Sequence, residues 1–184
     1  MFFQKKKLDW HITLIDEKIT FEKKTKIYSN KQSVIVFNEE KHSFSQLLDL
    51  VYLSGHDSRF LRDPIFGELN FKKLYKVWIE NSIKDKSIKV LVYFDEKIKR
   101  ILGFVTVVIS TDISSIGLIA VSDSVQNLGI GKALIEAAEN QLTPNSVLHV
   151  ATQRSNIKAC LFYKKLGFIH KTTDYIYHYA NSSL

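Results

Sequence analysis

Gln126-Asn127-Leu128-Gly129-Ile130-Gly131-Lys132-Ala133-Leu134 joins an apolar run to an amphipathic helix, and this junction decides how the chain is read. The run before it, residues 116–121, reads as a strand. After it, Ile130, Ala133, Leu134, Ala137 and Ala138 recur at the spacing of a buried helix face. Two glycines at the turn let backbone approach a ligand closely. At the helix start, N–H groups from about residue 128 to residue 133 lack partners within the helix, and its dipole adds partial positive charge. The segment therefore reads as a pyrophosphate cradle that needs no cationic side chain.

A second pattern follows in Ser155-Asn156-Ile157-Lys158-Ala159-Cys160-Leu161-Phe162-Tyr163-Lys164-Lys165-Leu166-Gly167-Phe168. Asn156 and Tyr163 are seven residues apart, about two helical turns, so they would share a face with the small Ala159 between them. Gly167 stands where a helix end needs a left-handed residue. Taken in order, the two segments resemble the Gln-x-x-Gly-x-Gly loop and the Asn-x-x-Ala-x-x-x-Tyr-x-x-x-Gly-Phe helix of the GNAT superfamily of N-acetyltransferases.

That resemblance implies an α/β (α+β) fold, a mixed and largely antiparallel central sheet flanked by helices, with acetyl-CoA as co-substrate. It implies that backbone groups of Ile119, Ala120 and Val121 meet the pantetheine arm, with an amide near Val121 polarising the thioester carbonyl. The pyrophosphate would rest on Gln126, Asn127, Leu128, Gly129, Ile130, Gly131, Lys132 and Ala133, and the arm would pass Asn156 and Ala159. Tyr163 would supply the proton for the departing thiolate. Read without the resemblance, residues 116–121 are buried sheet and Tyr163 is a core aromatic.

At 184 residues and 45% hydrophobic, the chain is long enough for one core and short for two. We expect a single domain, with residues 1–87 on the acceptor side and 88–180 forming the acetyl-CoA-binding core. The start, Met1-Phe2-Phe3-Gln4-Lys5-Lys6-Lys7, lacks the apolar stretch of a signal peptide, and no run approaches the ~20 residues that span a bilayer, so a cytoplasmic protein without membrane contact is expected. Cys160, the single cysteine, falls at an apolar helix position and reads as a small buried side chain. A net charge of +7 admits an anionic partner, but the lysines are scattered and the basic runs 5–7 and 23–24 carry no interleaved aromatics, which argues against nucleic acid.

Short β-like pieces are expected at 11–15, 19–21 and 34–37. A helix begins near Ser43 and ends at Gly55, and a second helix, capped by Asn70, carries Phe71, Leu74, Tyr75, Trp78 and Ile79 on one face. A polar loop with His56, Asp57, Ser58 and Arg59 lies between them. The runs 88–94, 101–109 and 115–121 form a meander, 147–152 a strand, 155–166 a helix and 168–179 a final extended segment. The N-terminal strands or the final segment offer an edge through which two copies could pair as a homodimer.

Acetyl transfer to an amine needs a bound donor, a neutral amine, stabilisation of developing negative charge on oxygen, and a proton for the thiolate. No single base stands out: His56, Asp57, Glu68, Asp123 and His149 are candidates, and water is another. The histidines lack partners at metal-ligand spacing, so no metal site is expected.

For the acceptor, Asp57-Ser58-Arg59-Phe60, Tyr75-x-x-Trp78-Ile79-x-Asn81-Ser82, Ile116-Gly117-Leu118-Ile119-Ala120-Val121, Val150-x-Thr152-Gln153 and Tyr175-x-Tyr177-His178 resemble the TDP-fucosamine acetyltransferases. That branch acylates the 4-amino group of a nucleotide-linked dideoxy sugar. The resemblance implies that Arg59 and Asn81 face the acceptor, Arg59 toward a phosphate. Arg59 reads equally as a surface arginine. Other amine acceptors (a protein N-terminus, a polyamine, an antibiotic) and a non-catalytic acyl-CoA-binding module remain open.

Overall fold

The structure, a computed structural model, describes residues 10–29, 33–63 and 66–181. The basic run 5–7 and the side chains of His11 and His178 lie outside that description. In chain order the elements are β1 (Trp10–Lys24), β2 (Val34–Val36), α1 (Phe44–Ser54), α2 (Arg59–Arg62), α3 (Gly67–Lys84), β3 (Ile88–Asp95), β4 (Arg100–Val108), β5 (Ser114–Val121), α4 (Ile130–Glu139), β6 (Val147–Gln153), α5 (Ile157–Lys165) and β7 (Ile169–Asn181). The strands form one sheet in the order β2-β3-β4-β5-β6-β1-β7. Its described pairings are antiparallel except for β5 with β6, so the expected mixed, largely antiparallel sheet is present.

Helices cover both faces. On one face α4 and α5 seal a core of Ile130, Leu134, Ile135, Leu148, Val150, Tyr163 and Phe168. On the other, Leu47, Val51, Phe71, Tyr75 and Ile79 of α1 and α3 pack on Val92 and Phe104. Burying each such side chain is worth about 1.5–3 kcal/mol, which is why the apolar periodicity specified these helices.

Several expectations change in detail. The pieces 11–15 and 19–21 belong to one strand, β1, which carries a register shift between Leu14 and Asp16. β1 lies antiparallel between β6 and β7, a position that no local pattern announces. Residues 56–59 are not all loop, because Ser58 caps the short α2. Asn70 does not cap the second helix: α3 starts earlier, and the Asn70 side chain donates back to the Phe66 carbonyl at 2.7 Å. Gly55 does follow α1, but at φ −96° it is not left-handed. A Cβ there would come within 2.5 Å of the Phe71 and Tyr75 rings, so glycine is required by close packing of α1 on α3.

The end of α4 is tied to the segment after β1. Glu139 is fully buried and accepts from Lys23 Nζ at 2.6 Å and from the Lys26 N–H at 2.9 Å. Burial opposes the Lys23 charge, but its hydrogen bonds to Glu139 and Tyr28 prevail and raise its pKa.

Candidate active site

β5 and β6 pair only at Ser114 with Leu148, Ser115 with His149 and Ile116 with Val150. Beyond these residues the two strands separate. On its other side β5 stays on β4, with a bulge: Val105 faces Ile119 and Val107 faces Ile116, so Gly117 and Leu118 lie opposite Thr106 alone. The Thr106 hydroxyl accepts the Leu118 N–H at 2.8 Å. A Cβ on Gly117 would lie 2.7 Å from that oxygen, so the bulge needs a glycine.

Past the bulge, the Ser122 N–H donates to the Leu102 carbonyl at 2.8 Å. Antiparallel alternation then turns the Ala120 groups to β4 as well, and those of Ile119 and Val121 to the opposite edge. That edge is where β6 has diverged. The gap is a trough with a hydrogen-bonding wall.

At the mouth of the trough, Asn127 and Gly129 adopt positive φ (64° and 81°) and turn the chain into α4. Gly129 occupies the N-cap and supplies no side-chain cap. The N–H groups of Ile130, Gly131 and Lys132 precede the first helical bond, which runs from the Ala133 N–H to the Gly129 carbonyl at 3.0 Å. The Ala133 N–H, expected among the free donors, is thus already used, and its side chain is buried. Gln126 is held by Asp123 at 2.6 Å, and Leu128 is exposed. Gly131 keeps the loop close to α5, since a Cβ there would meet the Phe162 ring at 3.1 Å.

α5 borders the same gap. Asn156 is its N-cap, its Oδ1 accepting the Ala159 N–H at 3.0 Å, so its side chain is engaged with the first turn of the helix. The far end is a Schellman close: Phe168 N–H donates to the Tyr163 carbonyl at 3.1 Å, Gly167 N–H donates to the Lys164 carbonyl at 3.0 Å, and Gly167 has φ +86°. The Tyr163 and Phe168 rings pack 5.7 Å apart. Tyr163 is 4% exposed, and burial holds its hydroxyl well above the usual phenol pKa. Cys160 is buried as expected, and its Sγ approaches the Gln153 carbonyl at 3.7 Å.

A groove of about 340 Å³ opens at the end of β6, lined by Asp16 and Glu17 of β1, Asp57 and the arginines 59 and 62, and Arg154 with its neighbours. Arg62 spans it, donating to Ser155 Oγ and Asp57 Oδ1, both at 2.8 Å. Arg154 binds Glu17 at 3.1 Å. Arg59 lies over the Phe60 ring and 3.8 Å from Asp16.

The structure thus brings Arg59 to a groove. Asn81 is exposed near the end of α3 and does not line it. Of the five candidate bases only Asp57 lines the groove. His56 is exposed, Glu68 pairs with Lys72 on the α3 surface, Asp123 holds Gln126, and His149 faces Glu22 at 3.5 Å. Asp16, which sequence reading passed over, is on the groove wall. Its signal was unreadable without the placement of β1.

Among the described residues no group of three or more His, Cys, Asp or Glu is placed to hold a metal ion, and no helix is long and apolar enough to cross a membrane.

The sequence profile of the acetyltransferase (GNAT) family matches residues 57–168, more than half of the chain. No protein of curated function matches it. Among solved structures, a functionally unknown conserved protein from Staphylococcus epidermidis superposes with a TM-score of 0.69 at 13% identity, over 95% of this chain and 64% of the other. An acetyltransferase of the GNAT family from Colwellia psychrerythraea gives a TM-score of 0.60 at 13% identity, over 94% of this chain and 57% of that one. The chain therefore spans about three fifths of the length of these structural relatives, whose likeness is one of fold.

Proposed function

Because the chain belongs to the acetyltransferase (GNAT) family, whose members use acetyl-CoA, we propose that it transfers an acetyl group from acetyl-CoA to the amine of a small polar acceptor by direct attack on the thioester. The carrying observation is the conjunction of two features: a trough walled by the free edge of β5 that ends at the uncapped start of α4, and an arginine-lined groove beside it. The N–H groups of Ile130, Gly131 and Lys132 suit the pyrophosphate. The backbone groups of Ile119 and Val121 suit the amide-rich pantetheine arm, and the Val121 amide suits the thioester carbonyl. Asn156 and Ala159 flank that path at the start of α5. Tyr163, kept protonated by its burial, suits delivery of a proton to the departing sulfur.

For the acceptor we propose a nucleotide-linked amino sugar of the TDP-4-amino-4,6-dideoxyhexose type. Arg59, Arg62 and Arg154 suit its phosphates, while the interleaved carboxylates suit its amine. The test is thiol release from acetyl-CoA with TDP-4-amino sugars, polyamines and peptides. Turnover of the TDP sugars is expected. Turnover of peptides or polyamines alone would replace the sugar with that acceptor class, and acetyl-CoA binding without turnover of any acceptor would favour a binding module.

A further inference from the structure

Two carboxylates are buried among the described residues, Glu139 and Asp16. Glu139 has its donors, as described above. Asp16 does not: its Oδ2 is buried with no hydrogen-bond partner, and Arg59 Nη1, at 3.8 Å, lies beyond hydrogen-bonding distance. Buried acceptors are nearly always satisfied, and an exception calls for a function or a missing donor. Backbone geometry aims this side chain. Leu14 pairs with Tyr177 and Asp16 with Ile176, so Ile15 is an extra residue in β1, and such bulges re-aim the side chains beside them. Asp16 thereby joins the wall of the groove at the end of β6.

We infer that Asp16 receives the ammonium group of the acceptor and takes its proton. The inference deepens the acetyltransferase reading and rests on it for the chemistry. An N–H of the bound ammonium would fill the vacant acceptor site on Oδ2. One ammonium proton passes to the Asp16 carboxylate, the freed nitrogen pair forms the C–N bond as the C–S bond breaks, Tyr163 gives its proton to sulfur, and the second N–H proton, lost as the amide forms, returns through water to Tyr163. Asp16 then releases its proton to water, so one acetyl group moves and one proton is lost overall. The charged groups around Asp16 are Arg59 and Arg62 of α2 and Glu17 of its own strand, while its β7 partner Ile176 is neutral. Burial outweighs the arginines and raises its pKa, which makes it a stronger base than an exposed aspartate.

The experiment combines two readouts on wild type and Asp16→Asn. The first is the ¹³C carboxyl resonance of aspartate-labelled protein, with Asp16 identified by its loss in the variant, titrated with TDP-4-amino-4,6-dideoxyglucose, with spermidine, and with TDP-glucose as the amine-free control. The second is kcat/KM against pH. The inference expects the Asp16 resonance to move with an amine and not with TDP-glucose. It also expects a fall of at least about 100-fold in kcat/KM for Asp16→Asn, with loss of the acid limb and no change in acetyl-CoA affinity. A merely structural Asp16 would lower the melting temperature and leave the pH profile in place. Amine-dependent shifts without turnover would sink the acetyltransferase reading and keep the amine site. Turnover unaffected by Asp16→Asn, or a resonance unmoved by every probe, would overturn the inference.

Discussion

Replacing Gly117 with alanine tests the architecture that exposes the β5 edge proposed to bind the donor. The new Cβ would sit 2.7 Å from Thr106 Oγ1, a buried oxygen that accepts the Leu118 N–H at 2.8 Å. Threonine has few rotamers in a strand, so the contact cannot be relieved without giving up that hydrogen bond. Overpacking costs about 1–3 kcal/mol and the lost bond about 1–3 kcal/mol more, offset by about 0.4–1 kcal/mol of reduced unfolded-state entropy. The net is about 1–5.6 kcal/mol, or roughly 2–22 °C in melting temperature at 2–4 °C per kcal/mol. Urea unfolding gives the first number and acetyl-CoA calorimetry the functional one, where weaker binding is expected because the Ile119 and Val121 groups move with the bulge. Thr106→Ala isolates the cause. It should itself cost about 1–3 kcal/mol by stranding the Leu118 N–H, yet make Gly117→Ala nearly neutral, a coupling as large as the cost of Gly117→Ala alone. A Gly117→Ala cost that is the same in both backgrounds, or a single variant as stable as wild type, would refute the reasoning.

Tyr163→Phe should keep the ring packing against Phe21 and Phe168, so stability stays within about 1 kcal/mol while kcat falls about 10²–10⁴-fold; unchanged turnover in a thiol-release assay would remove the hydroxyl from the chemistry. Gly167→Ala puts a side chain at φ +86° and should cost about 1–2 kcal/mol in urea unfolding, with no close contact to blame. Lys23→Met strands buried Glu139 and should cost about 3–5 kcal/mol at neutral pH. Because the folded-state pKa of Lys23 is raised, its contribution is complete below the unfolded value of 10.5 and is lost as pH climbs through the folded one. The gap between wild type and variant should therefore close in strongly alkaline buffer, as followed by circular dichroism.

What could be read from the sequence was what local rules specify. The α4 face is set by Ile130, Leu134 and Ala138 at helical spacing, the β3-β4-β5 meander by apolar runs and short turns, and the left-handed stop at Gly167 by its place after a helix. The strand–loop–helix from β5 to α4 was legible because one contiguous stretch carries all three. Asn70 misled because a good capping residue inside a helix can instead donate to the preceding turn, as it does to Phe66. Gly55 was legible as the end of α1, but its reason was not, since the glycine answers to two rings that belong to α3. No local rule could place β1, since its neighbours β6 and β7 are more than a hundred residues away.

The Tyr-x-x-x-Gly-Phe frame illustrates how one pattern can carry two explanations. Tyr163 lends its carbonyl to the Schellman close, Gly167 the left-handed turn and Phe168 the ring that packs on Tyr163, so the spacing follows from helix termination alone. Phenylalanine would satisfy every part of that frame. The hydroxyl is what termination does not explain, and burying it is unfavourable unless something uses it. Asp16 presents the same asymmetry: β1 needs a residue beside its bulge, but nothing in the sheet needs a buried carboxylate with an empty acceptor site. Asp16 also lies outside the family match at residues 57–168. The proposed donor-binding residues fall within the shared segment, whereas the groove proposed for the acceptor is closed by a strand from beyond it, so chemistry common to the family can be aimed at an acceptor particular to this chain.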